Sequence, residues 1–302
     1  MDRPPDDHDL SHVPKHPGCK ACNHCKVQRK HCRDKEKAKR KKLERSIKLS
    51  PLETSGDAAV PAPKLFGDLV TSDSVFVLKK NSVSPARHSG TTALVSRDRG
   101  TGWTMAYPAR SKTAEEIKVA VQDFVGSEKV KLWYSDGAPE LHAVCRELGF
   151  RHDKSDPHRS ETNGVIERTN RTVLEGTRTL LFQSGMPYKY WRMAATCFCT
   201  LYNGQHIDKK KGTVPYVERH GIKFPAKLIP YGAKVYYLPS AQRELEKRVK
   251  LDASLRTGIF TGYRMHTGGK WAGQYNVLDS EAYMEIDEGS GRCAYEHATS
   301  EI

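Results

Sequence analysis

Residues 155–181 read SDPHRSETNGVIERTNRTVLEGTRTLL. Asn163-Gly164 is a turn signal, and beyond it apolar side chains recur at helical spacing through Val165, Ile166, Val173, Leu174, Leu180 and Leu181. The pattern predicts a helix from Val165 onward, with Glu167 in the first turn, where the helix dipole favours a carboxylate. Asn170 and Arg171 follow three and four residues later on the same face. A carboxylate beside polar and cationic groups, behind a glycine turn, suits a metal ion that meets a phosphate. A plain solvated turn with a Glu167–Arg171 pair would look the same, so the segments upstream have to distinguish the two.

Upstream, residues 65–78 are rich in Leu, Val and Phe and read as a strand containing Asp68 and Asp73. Residues 93–97 and 103–107 read as two strands joined by a hairpin turn at Asp98-Arg99-Gly100-Thr101-Gly102. Thr113 and Glu116 form a capping-box pattern, and Ile117, Ala120, Val121 and Phe124 then stripe an amphipathic helix. Residues 130–134 read as a strand that ends in Ser135-Asp136-Gly137. Leu141, Val144, Cys145 and Leu148 stripe a second helix closed by Gly149, and 150–152 form a fifth short strand. Downstream, Trp191, Ala194, Ala195, Phe198, Leu201 and Tyr202 stripe a further helix. Three strands, helix, strand, helix, strand, helix is the order of an α/β (α+β) protein with a mixed five-stranded sheet flanked by helices.

In such a sheet Asp73 on the first strand and Asp136 at the carboxyl end of the fourth approach each other, and Glu167 can close the group. Asp68 is the rival for the first acid. Three convergent carboxylates repel unless a divalent cation neutralises them. Mg²⁺ takes oxygen ligands and keeps positions for water and phosphate, and a pair of such ions suits an in-line phosphoryl displacement. No Walker-type loop, Ser-His-Asp spacing or dinucleotide glycine motif competes.

The N-terminus carries different chemistry. His8 and His12 are spaced H-x3-H, and Cys19 and Cys22 follow as C-x2-C, a knuckle that suits tetrahedral zinc. His16, His24, Cys25 and Cys32 are rival ligands. A segment this short cannot bury a core, so a metal would supply its folding free energy. Four of the eight Cys lie between 19 and 32, which indicates metal binding in a reducing compartment rather than a disulfide scaffold. The formal charge is +14, and residues 26–48 hold twelve Lys or Arg against Asp34, Glu36 and Glu44. Such a run, including Lys39, Arg40, Lys41 and Lys42, implies a polyanionic partner bound by counterion release. No apolar run approaches the roughly 20 residues needed to cross a bilayer, and MDRPPDDHD has no signal-peptide core. Neither a membrane partner nor a small-molecule substrate is expected.

Beyond the helix of Trp191, Lys209-Lys210-Lys211-Gly212 opens a basic connection. Strands are expected at 234–238, 258–263 and 275–278, with a turn at Gly268-Gly269. They suggest a small barrel-like β module with Tyr236, Tyr237, Phe260, Tyr263, Trp271 and Tyr275 mostly in its core. Lys247, Arg248, Lys250 and Arg256 are candidates for a phosphate-binding edge, and 289–302 carry no readable signal. The expected plan is a zinc-binding module at 1–35, a basic disordered linker at 36–63, a catalytic core at 64–205, a β module at 206–288 and a tail at 289–302.

SDGAPEL (135–141) and SDPHRSETNGVIERTNR (155–171) closely resemble the Asp and Glu motifs of retroviral-type integrases, specifically the copia-type retrotransposon branch. LVTSD (69–73), RDRGTGWTMAYPARSK (97–112) and GMPYKYW (185–191) look like other parts of the same core, and His8, His12, Cys19 and Cys22 match the family's HHCC module. The resemblance spans about residues 8 to 288. It implies a ribonuclease H-like core in which Asp73, Asp136 and Glu167 bind two Mg²⁺ or Mn²⁺, with Zn²⁺ in the N-terminal module. The implied activity is 3′-end processing and strand transfer, joining element DNA to target DNA. Ser155, Asn163, Gly164 and Arg171 match the surrounding motif, and Asn163, Arg168 and Arg171 become expected DNA contacts. A homo-oligomer on DNA, nuclear action after a possible cytoplasmic particle, and origin from a longer Gag-Pol-type polyprotein are further expectations. One departure stands out: 30 residues separate Asp136 from Glu167, fewer than the family usually holds, with the shortening placed between Glu140 and Ala143. A catalytically inactive, zinc-stabilised nucleic-acid binder and a nuclease acting on RNA–DNA hybrids are the competing readings.

Overall fold

The structure, a computed structural model, describes residues 3–26, 62–77, 91–154, 160–209, 211–239, 253–286 and 293–302, with the backbone alone for 160–163. Residues 3–26 and 63–302 belong to one compact unit.

A five-stranded mixed sheet forms its centre. Strands β1 (Val70–Phe76), β2 (Thr92–Asp98) and β3 (Thr104–Ala109) make an antiparallel meander. Strands β4 (Trp133–Ser135) and β5 (His152–Lys154) add in parallel on the other side of β1, giving the order β3-β2-β1-β4-β5. This is the mixed five-stranded sheet that the order of elements predicts, in the ribonuclease H-like arrangement that the resemblance implies. The β2–β3 turn is pinned by Asp98, whose buried carboxylate accepts from the Thr101 N–H and hydroxyl and from the Gly67 N–H.

Helices α3 (Ala114–Val125) and α4 (Pro139–Glu147) pack against each other, and α3 also meets β2 and β3. The long helix α5 (Ser160–Ser184) crosses β1 and β2, and α6 (Trp191–Gln205) packs on α5 and β3. The stripe read from the sequence of α6 is buried throughout, from Trp191 to Tyr202. Trp103, Phe124, Trp133, Phe198 and Leu180 are among the largest fully buried side chains of the common core.

Several expectations need correction. The first strand begins at Val70, so Asp68 precedes it in a bend. There Asp68 accepts from the Lys64 and Leu65 N–H groups and pairs with Lys131 at 2.7 Å. These partners hold its carboxyl down at about 2. Thr113 caps α3 without a side-chain bond, and Glu116 accepts from the Ser111 N–H and hydroxyl instead of closing a capping box. The larger difference is in α5, which starts at Ser160 and runs through Asn163-Gly164 without a turn. One glycine costs a helix about 1 kcal/mol; continuing the helix extends a face already packed on the sheet. Glu167 therefore lies inside the helix rather than in its first turn.

A second sheet is built downstream. Short helix α7 (Pro215–His220) is followed by β6 (Lys234–Tyr237), β7 (Arg256–Met265) and β8 (Trp271–Asp279), and then by short helix α8 (Ser280–Met284). Residues 289–302 were expected to be a featureless tail, yet Glu296–Thr299 forms β9 and pairs with β8. The order β6-β7-β8-β9 is antiparallel throughout, so the described residues form an open sheet rather than a barrel. Gly268 and Gly269, both at positive φ, turn β7 into β8 as their sequence suggests. Tyr237, Phe260, Tyr263 and Tyr275 are buried, Trp271 is half-buried and Tyr236 is exposed. Lys247, Arg248 and Lys250 lie outside the described residues, and Arg256 sits 3.9 Å from Asp279.

Candidate functional site

Because β1 and β4 run parallel with Val70 opposite Trp133 and Thr71 opposite Tyr134, their side chains at equal register point to the same side. Continuing that register past Ser135 sets Asp136 beside Asp73. Trp133 Nε1 ties the two strands beneath them by donating to Ser72 Oγ at 2.7 Å. Asp136 then enters a turn in which its Oδ1 accepts from the Ala138 N–H at 3.4 Å and Gly137 adopts φ 84°. Behind it Ser135 Oγ lies 2.9 Å from His152 Nε2 on β5, which joins two strand ends.

The third expected acid comes from α5. Asn170 Nδ2 donates to Asp73 Oδ2 at 2.7 Å, bridging helix and strand. Glu167 lies one turn N-terminal to Asn170 on the same face, with its side chain exposed. Asn170 Oδ1 is buried without a protein partner. Burial pushes the Asp73 carboxyl above the ordinary carboxylate range, and the charge of Asp136 pushes the same way. The bond from Asn170 and the charge of Lys112, whose Nζ lies 3.3 Å from the Ser74 carbonyl and over the Phe76 ring, act in the opposite sense.

Two adjacent carboxylates, one of them destabilised by the other's charge, together with an unpaired amide oxygen, fit a divalent cation with oxygen ligands. The three acids are not drawn tightly together. Among the described residues, only His8, His12, Cys19 and Cys22 bring three or more such ligand atoms within 4.8 Å of one another.

The N-terminal quartet is compact. His8 belongs to α1 (His8–Ser11), and His12 caps that helix at φ 56°. Cys19 is the N-cap of α2 (Lys20–Cys25) and Cys22 lies in its first turn. All four are buried. Cys22 Sγ is 3.3 Å from His8 Nε2, and His12 Nδ1 is 3.4 Å from Cys19 Sγ and 3.8 Å from Cys22 Sγ. Two imidazoles and two sulfurs facing a common point are the donor set of a closed tetrahedral zinc site. Burial pulls both imidazoles below their ordinary value, which keeps them neutral as ligands require, and pushes the Cys22 thiol up. Of the rival ligands, His24 bonds the Lys20 carbonyl and Cys25 faces the Arg178 carbonyl; Cys32 lies outside the described residues.

The expected DNA contacts fall differently. Arg171 is exposed beyond Asn170. Arg168 lines a cavity of about 160 Å³ with Arg97, Thr104, Thr172 and Tyr202. The side chain of Asn163, together with Lys39, Arg40, Lys41, Lys42 and Ser155, lies outside the described residues. The links that the sequence reading did not find are Ser135 to His152 and Lys112 to the Asp73 strand. Each joins residues remote in sequence, and no local pattern signals them.

No protein-family model matches the sequence. The chain is 30% identical over 131 residues, 41% of its length, to the Retrovirus-related Pol polyprotein from transposon TNT 1-94 of Nicotiana tabacum. It is 29% identical over 178 residues, 56% of its length, to the Retrovirus-related Pol polyprotein from transposon RE1 of Arabidopsis thaliana. The matched segments span 9% and 12% of those polyproteins. Among solved structures, the HTLV-2 integrase catalytic core domain in complex with magnesium aligns at 16% identity and a TM-score of 0.41, over 52% of this chain and 99% of that one. The sequence relatives are thus retrotransposon and retroviral Pol polyproteins, in agreement with the resemblance to a copia-type integrase segment.

Proposed function

We propose that this chain is the integrase segment of a retrotransposon Pol polyprotein and acts as a DNA polynucleotidyl transferase. The observation that carries the reading is the β1–β4 register, which when continued two residues past its last pair runs Asp136 alongside Asp73, together with the bond from Asn170, one turn beyond Glu167, to Asp73. Asp73, Asp136 and Glu167 would hold two Mg²⁺ or Mn²⁺. When bound, such ions activate a water or a 3′-hydroxyl and stabilise the leaving oxygen of an in-line displacement. Asn170 orients Asp73 by its hydrogen bond, and Ser135 with His152 fixes the strand end from which Asp136 projects. Arg171, Arg168 and Asn163 would meet the DNA near the cut, and the Lys39–Lys42 run would bind phosphate without sequence preference. His8 Nε2, His12 Nδ1, Cys19 and Cys22 would hold Zn²⁺, which supplies folding free energy to the N-terminal module. The working form is a homo-oligomer on DNA ends, and its site of action is the nucleus.

The test is strand transfer of a short duplex into plasmid DNA. Activity that needs Mg²⁺ or Mn²⁺ and falls by about 10²–10³-fold or more in Asp136→Asn and in Glu167→Gln is the expected result, in keeping with loss of a charge-stabilising group. The shortened spacing between Asp136 and Glu167 and the loose grouping of the acids favour a second reading, a catalytically inactive binder. Salt-sensitive duplex binding without turnover in either metal would decide for it.

A further inference from the structure

We infer that Gln183, in the last turn of α5, is the outer partner of the zinc site, and that the metal braces through it the helix that carries Glu167. The inference rests on the zinc reading above.

His12 has two ring nitrogens facing different groups. Nδ1 points to the sulfurs of Cys19 and Cys22, and Nε2 lies 2.5 Å from Gln183 Oε1. Only one arrangement satisfies both neighbours: Nδ1 bears the lone pair that binds the metal, and Nε2 carries the proton donated to the amide oxygen. Ligating imidazoles as a rule donate their second N–H to an oxygen, which fixes the tautomer and the ring orientation. His12 is fully buried, so with Gln183 in place its Nε2 meets that amide oxygen rather than solvent.

Gln183 does not act alone in joining the module to α5. Arg178 Nη1 donates to the Cys25 carbonyl at 3.1 Å, and Cys25 Sγ faces the Arg178 carbonyl at 3.7 Å. The His24 ring stacks on Phe182 at 5.1 Å. Lys26 Nζ donates to the His12 carbonyl at 2.7 Å, closing the module on itself. Residues 3–26 bury few apolar side chains, chiefly Leu10, Ala21 and the cysteines, so the free energy of metal binding would add to that which seats the module on α5. Coupling of this kind is reciprocal. Loss of the Gln183 oxygen weakens zinc binding, and loss of zinc releases the last turns of the helix that, about 24 Å away along the same axis, presents Glu167. Gln183 is thus a positioning residue.

The experiment uses the full chain and three proteins: parent, Gln183→Leu and Gln183→Glu. Zinc affinity is read by chelator competition, the site by the visible spectrum of Co²⁺ in place of zinc, and the helix by amide hydrogen exchange over residues 160–184. Expected are a tetrahedral thiolate Co²⁺ spectrum in the parent, 10–100-fold weaker zinc binding in Gln183→Leu, and rescue in Gln183→Glu, whose carboxylate offers the same acceptor. Exchange near residues 178–184 should slow on zinc addition in the parent and in Gln183→Glu. Equal affinity in the parent and Gln183→Leu would overturn the inference and leave the zinc site standing. Equal loss in Gln183→Glu and Gln183→Leu would also overturn it, since packing rather than the hydrogen bond would then be at work. A parent with no tetrahedral Co²⁺ spectrum would remove the zinc reading itself.

Discussion

Asp73 concentrates the electrostatics of the candidate site in one side chain. Its carboxyl is raised by burial and by Asp136, so the folded protein favours the protonated form. The stability it contributes is full below the ordinary carboxylate range and is lost as pH rises through the raised value. At pH 7 without Mg²⁺ the ionised group therefore destabilises the fold. Asp73→Asn keeps an oxygen for the bond from Asn170 and removes the charge. The variant should melt higher than the parent at pH 7 in the absence of Mg²⁺, with the gap closing toward pH 3.5. The parent should melt higher on adding Mg²⁺, and the variant should lose that rise. Thermal scans at the two pH values decide this, and a variant less stable than the parent at pH 7 contradicts it. The candidate acids themselves were legible from residue type and neighbours: SDG and GVIER name Asp136 and Glu167 without any fold. Asp68 and Asp73 lie in one apolar stretch, and only the LVTSD resemblance favoured Asp73. The structure begins β1 at Val70 and engages Asp68 with Lys131 and two backbone donors.

At the scale of elements, α5 separates two kinds of glycine. A Cβ on Gly164 would meet nothing within 4 Å, whereas one on Gly176 would lie 2.1 Å from the Phe198 ring of α6. Gly164→Ala should stabilise by up to about 1 kcal/mol through helix propensity, and Gly176→Ala should destabilise by about 1–3 kcal/mol through overpacking. Urea denaturation measures both, and a neutral Gly176→Ala would mean that the two helices slide apart easily. Helix α7 anchors the chain beyond the core through Arg219, whose side chain is fully buried. Its Nη2 donates to the carbonyls of Phe124 and Val125 at the end of α3 and pairs with Glu128, and the guanidinium lies 3.6 Å from the Phe66 ring centre. Arg219→Ala should cost about 2–3 kcal/mol, chiefly by leaving the buried carbonyls of Phe124 and Val125 without a donor, since Glu128 is partly exposed. Arg219→Lys should recover only part of that, because an ammonium can meet the oxygens that Nη2 meets but loses the flat guanidinium stacked on the Phe66 ring. Full recovery by lysine in a denaturant titration would refute this account of the anchor. None of these contacts has a local signature. The helices were readable because apolar residues recur at a period of 3.6, but the start of α5 was misplaced because Asn163-Gly164 signals a turn only when nothing beyond it favours continuing the helix.

For the molecule as a whole, the excess charge leads to a prediction about DNA affinity. Residues 26–48 carry most of the +14, and if they release counterions from DNA the binding constant falls with salt by about 0.9 logarithmic units per phosphate contacted. Neutralising Lys39, Arg40, Lys41 and Lys42 together should lower the slope of log K against log salt by up to about 3.6, with little change in sequence preference. An unchanged slope in a filter-binding or anisotropy series would place the phosphate contacts elsewhere. Composition, charge run, ligand spacing and the two acidic motifs are properties of short stretches, and for that reason the sequence alone was enough to set the chemistry expected of the chain: zinc-type ligands in front, a divalent-metal core behind, and a polyanion as partner. The order of strands and helices likewise followed from local periodicity. The fold contributed the relations between distant segments: the register that sets Asp136 beside Asp73, the bond from Asn170 to Asp73, the seat of the His8–Cys22 module on Gln183, and the recruitment of 296–299 as a fourth strand. Those contacts join residues tens to more than a hundred positions apart. Their free energy comes from burying surfaces and pairing polar groups that meet only once the whole chain has folded, so no window of neighbouring residues contains them.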